Sequence, residues 1–286
     1  MNNFSIKSIN MTRQINLIGN HPNIEHPIGA WLSVNDIAVT ATKCHRELIE
    51  RDNEGNEDLI LWMANKLISH HYSTFRLEQL KKKYEELGFE KYALQNRKLP
   101  IVDKVKKGNA TEILLTEYIQ STLNRDLIKV FKLKYNPNVD QAIKGDDTLM
   151  VDLLEQEGGN ELKIFLGESK FRTTPTKKVV DEISASLEKE KMPLSYSFLV
   201  EEIAKNNLEL ALKLDDFIVQ DIKDKGQLIY TGLLLSNEHT SRFVETNLNN
   251  DNTELIFISI GTQNPENFIN LAFEKANELI ANPSIL

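Results

Sequence analysis

Two acidic residues and a lysine lie at the ends of two neighbouring apolar segments in the middle of the chain. Asp147 comes directly before the run 148–154, and Glu168 and Lys170 end the run 162–171. Because a charge at the end of an interior strand needs a partner or a metal ion, these residues are candidates for a functional site. Two carboxylates and an ammonium can hold a hard divalent cation and orient a water molecule, as a metal-dependent phosphodiesterase requires.

A β-hairpin would bring these charges to the same end of a sheet. The run 148–154 is long enough for a core strand, and the turn signal EGGN at 157–160 follows it before the second run begins. Side chains alternate along a strand, so Glu168 and Lys170 should share one face while Ser169 lies on the other. Ser169 lacks a nearby histidine and a nucleophile elbow, which argues against serine-hydrolase chemistry.

The strand-end charges also have ordinary structural interpretations. Glu168 and Lys170 could form a surface ion pair that stabilises by well under ~1 kcal/mol. Asp146 and Asp147 follow Gly145 and could be turn residues. Considered one at a time, these interpretations stay open beside the functional one.

Glu112 is a third acidic candidate, early in a helix predicted over 109–123. If Asn109 caps that helix, Glu112 is its third residue and a capping-box partner. The pair His70 and His71 ends another predicted helix. We interpret these imidazoles as partners of the negative helix end rather than as a metal site.

The remaining pattern predicts an α/β fold with a mixed central sheet flanked by helices. Helices are predicted at 58–70, 75–87, 109–123, 175–189 with Thr174 as a cap, and 264–280, and a long helical region, with an interruption left open, at 199–224. Besides the hairpin, strands are predicted at 15–18, 37–40, 127–135, 227–235 and 255–260. A boundary near residue 100 would separate a mixed α+β N-terminal region, 1–100, from a second domain, 101–286.

Composition excludes several classes of protein. The 286 residues are 41% hydrophobic and 27% charged, as in soluble globular proteins. No apolar run approaches a membrane span and no signal-peptide pattern is present, so we expect a cytoplasmic protein without a membrane partner. The single cysteine, Cys44, excludes a disulfide framework and a cysteine-rich zinc site. No strand is followed by a glycine-rich phosphate loop, and no Walker lysine motif occurs.

The net charge of −8 argues against coating of nucleic acid through bulk electrostatics. The segment 97–134 is locally basic, however, because nine Lys and Arg residues outnumber four acids, which gives 9 − 4 = +5. A basic patch beside the acidic residues suits a phosphate-backbone substrate. A solvated surface with a chance excess of lysines would give the same pattern.

The order of these features resembles the PD-(D/E)xK nuclease superfamily: an acid in a helix, then Gly-x-Asp opening a strand, then Glu-x-Lys ending the next. The resemblance implies a restriction-endonuclease-like fold in which Glu112, Asp147 and Glu168 bind Mg²⁺ or Mn²⁺. Asp146 is the alternative ligand to Asp147. Lys170 would contact the attacking water or the scissile phosphate.

A closer resemblance extends over most of the chain. The segments KGNATE (107–112), KGDD (144–147) and LGESKF (166–171) are similar to those of the HamA family, nuclease subunits of the Hachiman anti-phage system. This resemblance implies a Mg²⁺-dependent deoxyribonuclease that pairs, as a heterodimer, with HamB, a superfamily 2 helicase engaged on DNA. The region 1–100 is then our prediction for the helicase interface. There are two alternatives: a catalytically silent adaptor or DNA-binding subunit, and a sequence-specific restriction endonuclease.

Overall fold

Seven strands form one mixed sheet in a computed structural model of the chain, which describes residues 12–51, 57–88, 97–142, 145–156, 159–188, 195–220 and 228–281. The strands are β1 (Leu32–Asp36), β2 (His45–Glu50), β3 (Ile128–Lys129), β4 (Thr148–Gln156), β5 (Gly159–Phe171), β6 (Leu228–Asn237) and β7 (Leu255–Thr262). Their order across the sheet is β1-β2-β7-β6-β5-β4-β3. The four central strands β2, β7, β6 and β5 run parallel to one another. Towards the edges, β1 pairs antiparallel with β2, β4 with β5, and β3 with β4.

Helices cover both faces of this sheet. They are α1 (Arg13–Ile18), α2 (Pro27–Trp31), α3 (Glu57–His71), α4 (Thr74–Leu87), α5 (Asp103–Leu123), α6 (Lys177–Ser186), α7 (Tyr196–Ala204), α8 (Leu208–Gln220), α9 (Thr240–Asn247) and α10 (Pro265–Ala281), with a 3₁₀ helix at Lys132–Tyr135. One hydrophobic cluster joins one sheet face to α1–α5 and α10, and a second joins the other face to α6–α9. The predicted α/β architecture with a mixed central sheet is therefore confirmed.

The hairpin that carries the candidate site is present. β4 and β5 pair antiparallel from Thr148 opposite Gly167 to Gln156 opposite Gly159. This register brings the start of β4 beside the end of β5, as the sequence predicts. Residues 157 and 158 of the predicted turn lie outside the described residues.

Two predicted N-terminal strands are wrong. Residues 15–18 belong to the helix α1, where the Thr12 hydroxyl accepts a hydrogen bond from the Ile15 amide as an N-cap and Leu17 and Ile18 are buried. A short helix and a strand cannot be distinguished from an apolar run of only four residues. The N-cap at Thr12 favours the helix here. Residues 37–40 lie in the connection between β1 and β2, which form the actual strands.

The predicted basic strand 127–135 is also wrong over most of its length. Only Ile128 and Lys129 pair with β4, and the chain then turns into the 3₁₀ helix. The cap of the helix predicted at 175–189 differs as well: Thr176, rather than Thr174, caps α6, because its hydroxyl accepts from the Val179 amide. The helical region 199–224 is two helices, α7 and α8; residues 221–224 lie outside the described residues.

Helix α5 begins at Asp103 rather than Asn109, so Glu112 lies in its third turn. The capping-box interpretation of Glu112 is therefore wrong, since the orphan amides of a helix belong to its first turn. The other long helices, at 58–70, 75–87 and 264–280, agree with the sequence prediction within a residue or two.

The described residues among the first hundred share the sheet and one core with the rest of the chain. β2 pairs parallel with β7 from His45 opposite Phe257 onward, and side chains of α3 and α10 belong to the same hydrophobic cluster. The assignment of partner binding to this region stays a prediction.

Candidate functional site

Close packing of α5 against the hairpin positions the site. The Thr116 hydroxyl of α5 lies 3.1 Å from the Thr148 hydroxyl at the start of β4. A Cβ added to Gly167 would lie 2.7 Å from Leu115 Cδ2 and 2.8 Å from Thr148 Cβ, so only glycine lets the helix approach this closely. The third and fourth turns of α5, which carry Glu112, Leu115 and Thr116, thus lie beside the start of β4 and the end of β5.

Glu112 and Asp147 flank one cation, the ammonium of Lys132. Lys132 Nζ lies 3.2 Å from Glu112 Oε2 and 3.9 Å from Asp147 Oδ1, and it donates a 2.7 Å hydrogen bond to the backbone carbonyl of Asp146. The side chains of Lys132 and Glu112 are only 15% and 14% exposed, so this contact is largely shielded from water. The sequence placed Lys132 in the basic segment but gave no sign of this pairing, because it depends on the 3₁₀ turn.

Asp147 also reaches across to β5. Its Oδ2 accepts hydrogen bonds from the Ser169 amide at 2.9 Å and the Ser169 hydroxyl at 3.3 Å. The Ser169 hydroxyl lies 3.4 Å from that of Thr111 on α5. These bonds fix the orientation of the Asp147 carboxylate between the two strands and the helix.

Asp146 has a different environment. Its Oδ2 accepts a 2.8 Å hydrogen bond from the Ser195 amide, and its own amide donates to the Ser195 hydroxyl at 3.2 Å. Asp146 is buried and ties the start of β4 to the start of α7. This arrangement favours Asp147 over Asp146 as the residue of the pair that faces Glu112 and Lys132.

Glu168 and Lys170 form an ion pair with each other at the end of β5. This contact agrees with their predicted position on one face of the strand, while Ser169 points to α5. Lys170 is about twice as exposed as Glu168, at 30% against 16%. The ammonium therefore lies on the solvent side of the pair.

The pKa of Glu112 reflects how the charges of the site combine. Burial raises it to about 8; the ammonium of Lys132 opposes this effect, and the carboxylates of Asp147 and Glu168 add to it. Lys132 therefore compensates the acidic group only in part. A further positive charge at this position would stabilise the ionised form of Glu112.

These residues fit a hard divalent cation in donor type, because Mg²⁺ and Mn²⁺ prefer carboxylate oxygens and two carboxylates already flank a cation. The positions of these side chains do not form a complete ligand set for one ion. Over the described part of the chain, no three His, Cys, Asp or Glu side chains converge closely enough to hold one ion. Glu112 and Asp147 form one group around Lys132, and Glu168 pairs with Lys170 beside them.

A second buried ionic cluster lies nearby on α5. Glu117 accepts a hydrogen bond from His70 at 2.7 Å and pairs with Lys66 at 2.6 Å and Lys129 at 3.3 Å. His71 is buried too: its Nδ1 donates to the Leu67 carbonyl, and its Nε2 accepts from the Asn109 side-chain amide. Burial lowers the pKa of His71 to about 4. Both histidines lie in the last turn of α3, as predicted, and His71 binds a carbonyl of that turn. The structure adds that both are buried, that His70 pairs with Glu117 and that His71 is neutral near pH 7.

Most of the predicted basic segment is engaged within the chain. Ion pairs join Arg97 to Asp140, Lys107 to Asp103 and Glu266, Arg125 to Asp152, Lys129 to Glu117 and Lys132 to Glu112. Five of the nine basic residues thus have an acidic partner, and the local excess of +5 overstates the charge available to a phosphate backbone.

Comparison with known proteins identifies the family. The family model HamA matches residues 28–276. The Hachiman protein HamA of Bacillus cereus is 36% identical over 278 residues, which cover 93% of this chain and 96% of that protein. Over the described residues, no helix combines the length and the apolar character needed to cross a membrane. The match extends over both the N-terminal strands and the hairpin, and the chain belongs to the HamA family.

Proposed function

We propose that the chain is a metal-dependent DNA nuclease and the effector subunit of a Hachiman anti-phage system. The observation that carries this proposal is the pair of carboxylates, Glu112 and Asp147, around one cation, with Glu168 close enough to raise the pKa of Glu112. The name of the Bacillus cereus relative supports the defence role. Glu112 and Asp147 share the single lysine Lys132. Stability alone explains this arrangement poorly, because uncompensated buried charge is unfavourable.

The proposed roles follow from position. Glu112, Asp147 and Glu168 would hold Mg²⁺ or Mn²⁺, and Ser169 keeps the Asp147 carboxylate oriented through two hydrogen bonds. When bound, the cation activates water and neutralises charge on the phosphate. Lys170, the more exposed member of its pair, can approach the scissile phosphate and stabilise the negative charge that develops there.

The decisive test is Glu168→Ala with Lys170→Ala in the purified chain. We expect the wild-type protein to degrade plasmid DNA in the presence of Mg²⁺ or Mn²⁺, and EDTA to abolish this degradation. The double variant should lose cleavage while its unfolding temperature stays the same. Lys275→Ala with Glu278→Ala is the control, because it removes another Lys–Glu pair, 3.1 Å apart, on α10. Undiminished cleavage by the first double variant would refute the assignment of the site.

The same assay separates the alternatives. A catalytically silent adaptor or DNA-binding subunit would show no metal-dependent cleavage in any state, including in complex with its helicase. A sequence-specific restriction endonuclease would leave discrete fragments, whereas a nuclease of the proposed kind leaves a smear. The acidic net charge and the paired basic residues favour delivery to DNA by a partner over independent tight binding.

That partner, we propose, is a superfamily 2 helicase bound as a heterodimer through the region 1–100. Deleting this region would remove β1, β2 and α3 from the core, so substitutions give a cleaner test than truncation. Ile24 and Phe75 are 73% and 69% exposed there, and Leu208 is 63% exposed outside it. We expect Ile24→Lys with Phe75→Lys to abolish co-purification with the helicase and Leu208→Lys to leave it intact; the reverse pattern would refute this location.

A further inference from the structure

Lys132 lies where a divalent cation of the proposed site would need to bind. Its Nζ is 3.2 Å from Glu112 Oε2 and 3.9 Å from Asp147 Oδ1. A cation ligated by these two carboxylates would lie roughly 2 Å from each ligand oxygen, within a few ångström of the present ammonium. Two cations cannot share this space, because both are positive and the region is largely shielded from water.

We propose that Lys132 is a resident counter-ion of the acidic centre and that a divalent cation binds only by displacing its ammonium. This inference rests on the proposed function, since it concerns the metal site of the nuclease. It assigns to the 3₁₀ turn a role that the family motif of three acids and one lysine does not contain. Metal binding is then a competition between the cation and a side chain of the same protein.

The contacts of Lys132 suit a displaceable ion. Lysine carries a compact charge on a flexible stem of four carbons, so its ammonium can leave without movement of the backbone. One of its three contacts is the backbone carbonyl of Asp146 at 2.7 Å, which is a neutral acceptor outside the carboxylate pair. Displacement therefore leaves the ammonium near the site, tethered to the same short turn.

The chain provides a matched control in Lys43. Its Nζ also donates to a backbone carbonyl, that of Glu245 at 2.6 Å, and pairs with a carboxylate, Glu245 Oε1 at 3.7 Å. Lys43 lies in the connection before β2, and its partner is on α9. It reproduces the types of contact that Lys132 makes without touching Glu112, Asp147 or Glu168.

The first experiment measures Mn²⁺ binding to the full chain by calorimetry or electron paramagnetic resonance, without DNA. We expect Lys132→Met and Lys132→Gln to bind Mn²⁺ about tenfold more tightly than wild type, and Lys43→Met to bind like wild type. Tenfold corresponds to about 1.4 kcal/mol. Unchanged or weaker binding by folded Lys132 variants would overturn the proposal, because Lys132 would then hold the carboxylates in place rather than compete for them.

The second experiment uses only wild-type protein, so it does not depend on the folding of a variant. Mg²⁺ should increase the rate at which an amine-reactive reagent modifies Lys132, measured by mass spectrometry, and leave the rate at Lys43 unchanged. An unchanged rate at Lys132 with measurable Mn²⁺ binding overturns the inference alone. The proposed metal site is refuted as well if neither the wild type nor any Lys132 variant binds Mn²⁺. It is also refuted if Asp147→Asn binds Mn²⁺ like the wild type.

Discussion

Glu112 should make the protein less stable as the pH rises, and Glu112→Gln should remove this dependence. Its pKa is about 8 in the folded chain against an ordinary 4.5, chiefly because it is buried. Between these values the folded state retains a proton on Glu112 that the unfolded chain has released. Stability therefore falls as the pH rises through this window. At about 1.4 kcal/mol per pH unit the whole interval amounts to at most about 5 kcal/mol.

Urea unfolding of both proteins at pH 5.5, 6.5, 7.5 and 8.5, without divalent cations, measures this effect. The useful quantity is the difference in unfolding free energy between wild type and Glu112→Gln, since other titrating groups cancel in it. We expect Glu112→Gln to gain at least about 2 kcal/mol relative to wild type between pH 5.5 and 8.5. The lost contact with Lys132 adds an offset that changes little with pH.

Asp140→Asn is the control for this series. The guanidinium of Arg97 lowers the pKa of Asp140 to about 2, so Asp140 is ionised in both states from pH 5.5 to 8.5. Its substitution should shift the unfolding free energy by a constant amount. If the difference in unfolding free energy between wild type and Glu112→Gln is equally independent of pH, burial does not raise the pKa of Glu112. The reasoning about the acidic centre would then be wrong.

Three further predictions concern the scaffold, each measured by thermal or urea unfolding. Gly167→Ala should destabilise by about 1–3 kcal/mol, because its Cβ would lie under 3 Å from two side chains, whereas Gly108→Ala, with open space in α5, should stabilise by about 0.5–1 kcal/mol. Arg46→Met should cost about 3–5 kcal/mol by leaving Asp36 without its 2.6 Å partner, and adding Asp36→Asn should recover part of this. His71, with a pKa of about 4, should make stability fall as the pH drops from 6.5 towards 4, and His71→Gln should reduce that fall.

The hairpin was predictable from sequence because local and long-range preferences agree there. The runs 148–154 and 162–171 are apolar, a glycine turn separates them, and each is long enough to span the sheet. Pairing from Thr148 to Gln156 then fixes which ends meet, so the proximity of Asp147 and Glu168 followed from alternation and chain length alone. The helices with long amphipathic patterns were predictable for the same reason.

The edges of the sheet were not predictable in the same way. The segment 127–135 has a strand-like composition, yet two of its lysines turn inward, Lys129 to Glu117 and Lys132 to Glu112. Both acids lie on α5, and nothing in the local sequence specifies their distance from the segment. Long-range ion pairs determine the conformation here, and a single sequence records them only as an excess of charge.

The two glutamates of α5 illustrate how a binding site differs from a structural charge. Burial alone would raise the pKa of Glu117, but the hydrogen bond and charge of His70, the charge of Lys129 and the hydrogen bond from Lys66 hold it well below its usual range. Glu112, five residues earlier, has one lysine and two neighbouring carboxylates, and its pKa is raised. The protein thus neutralises Glu117 fully with its own residues and leaves Glu112 undercompensated. A cation from solution would correct that imbalance, which is why the metal proposal belongs to the centre of Glu112, Asp147 and Glu168 and not to the histidine cluster beside it.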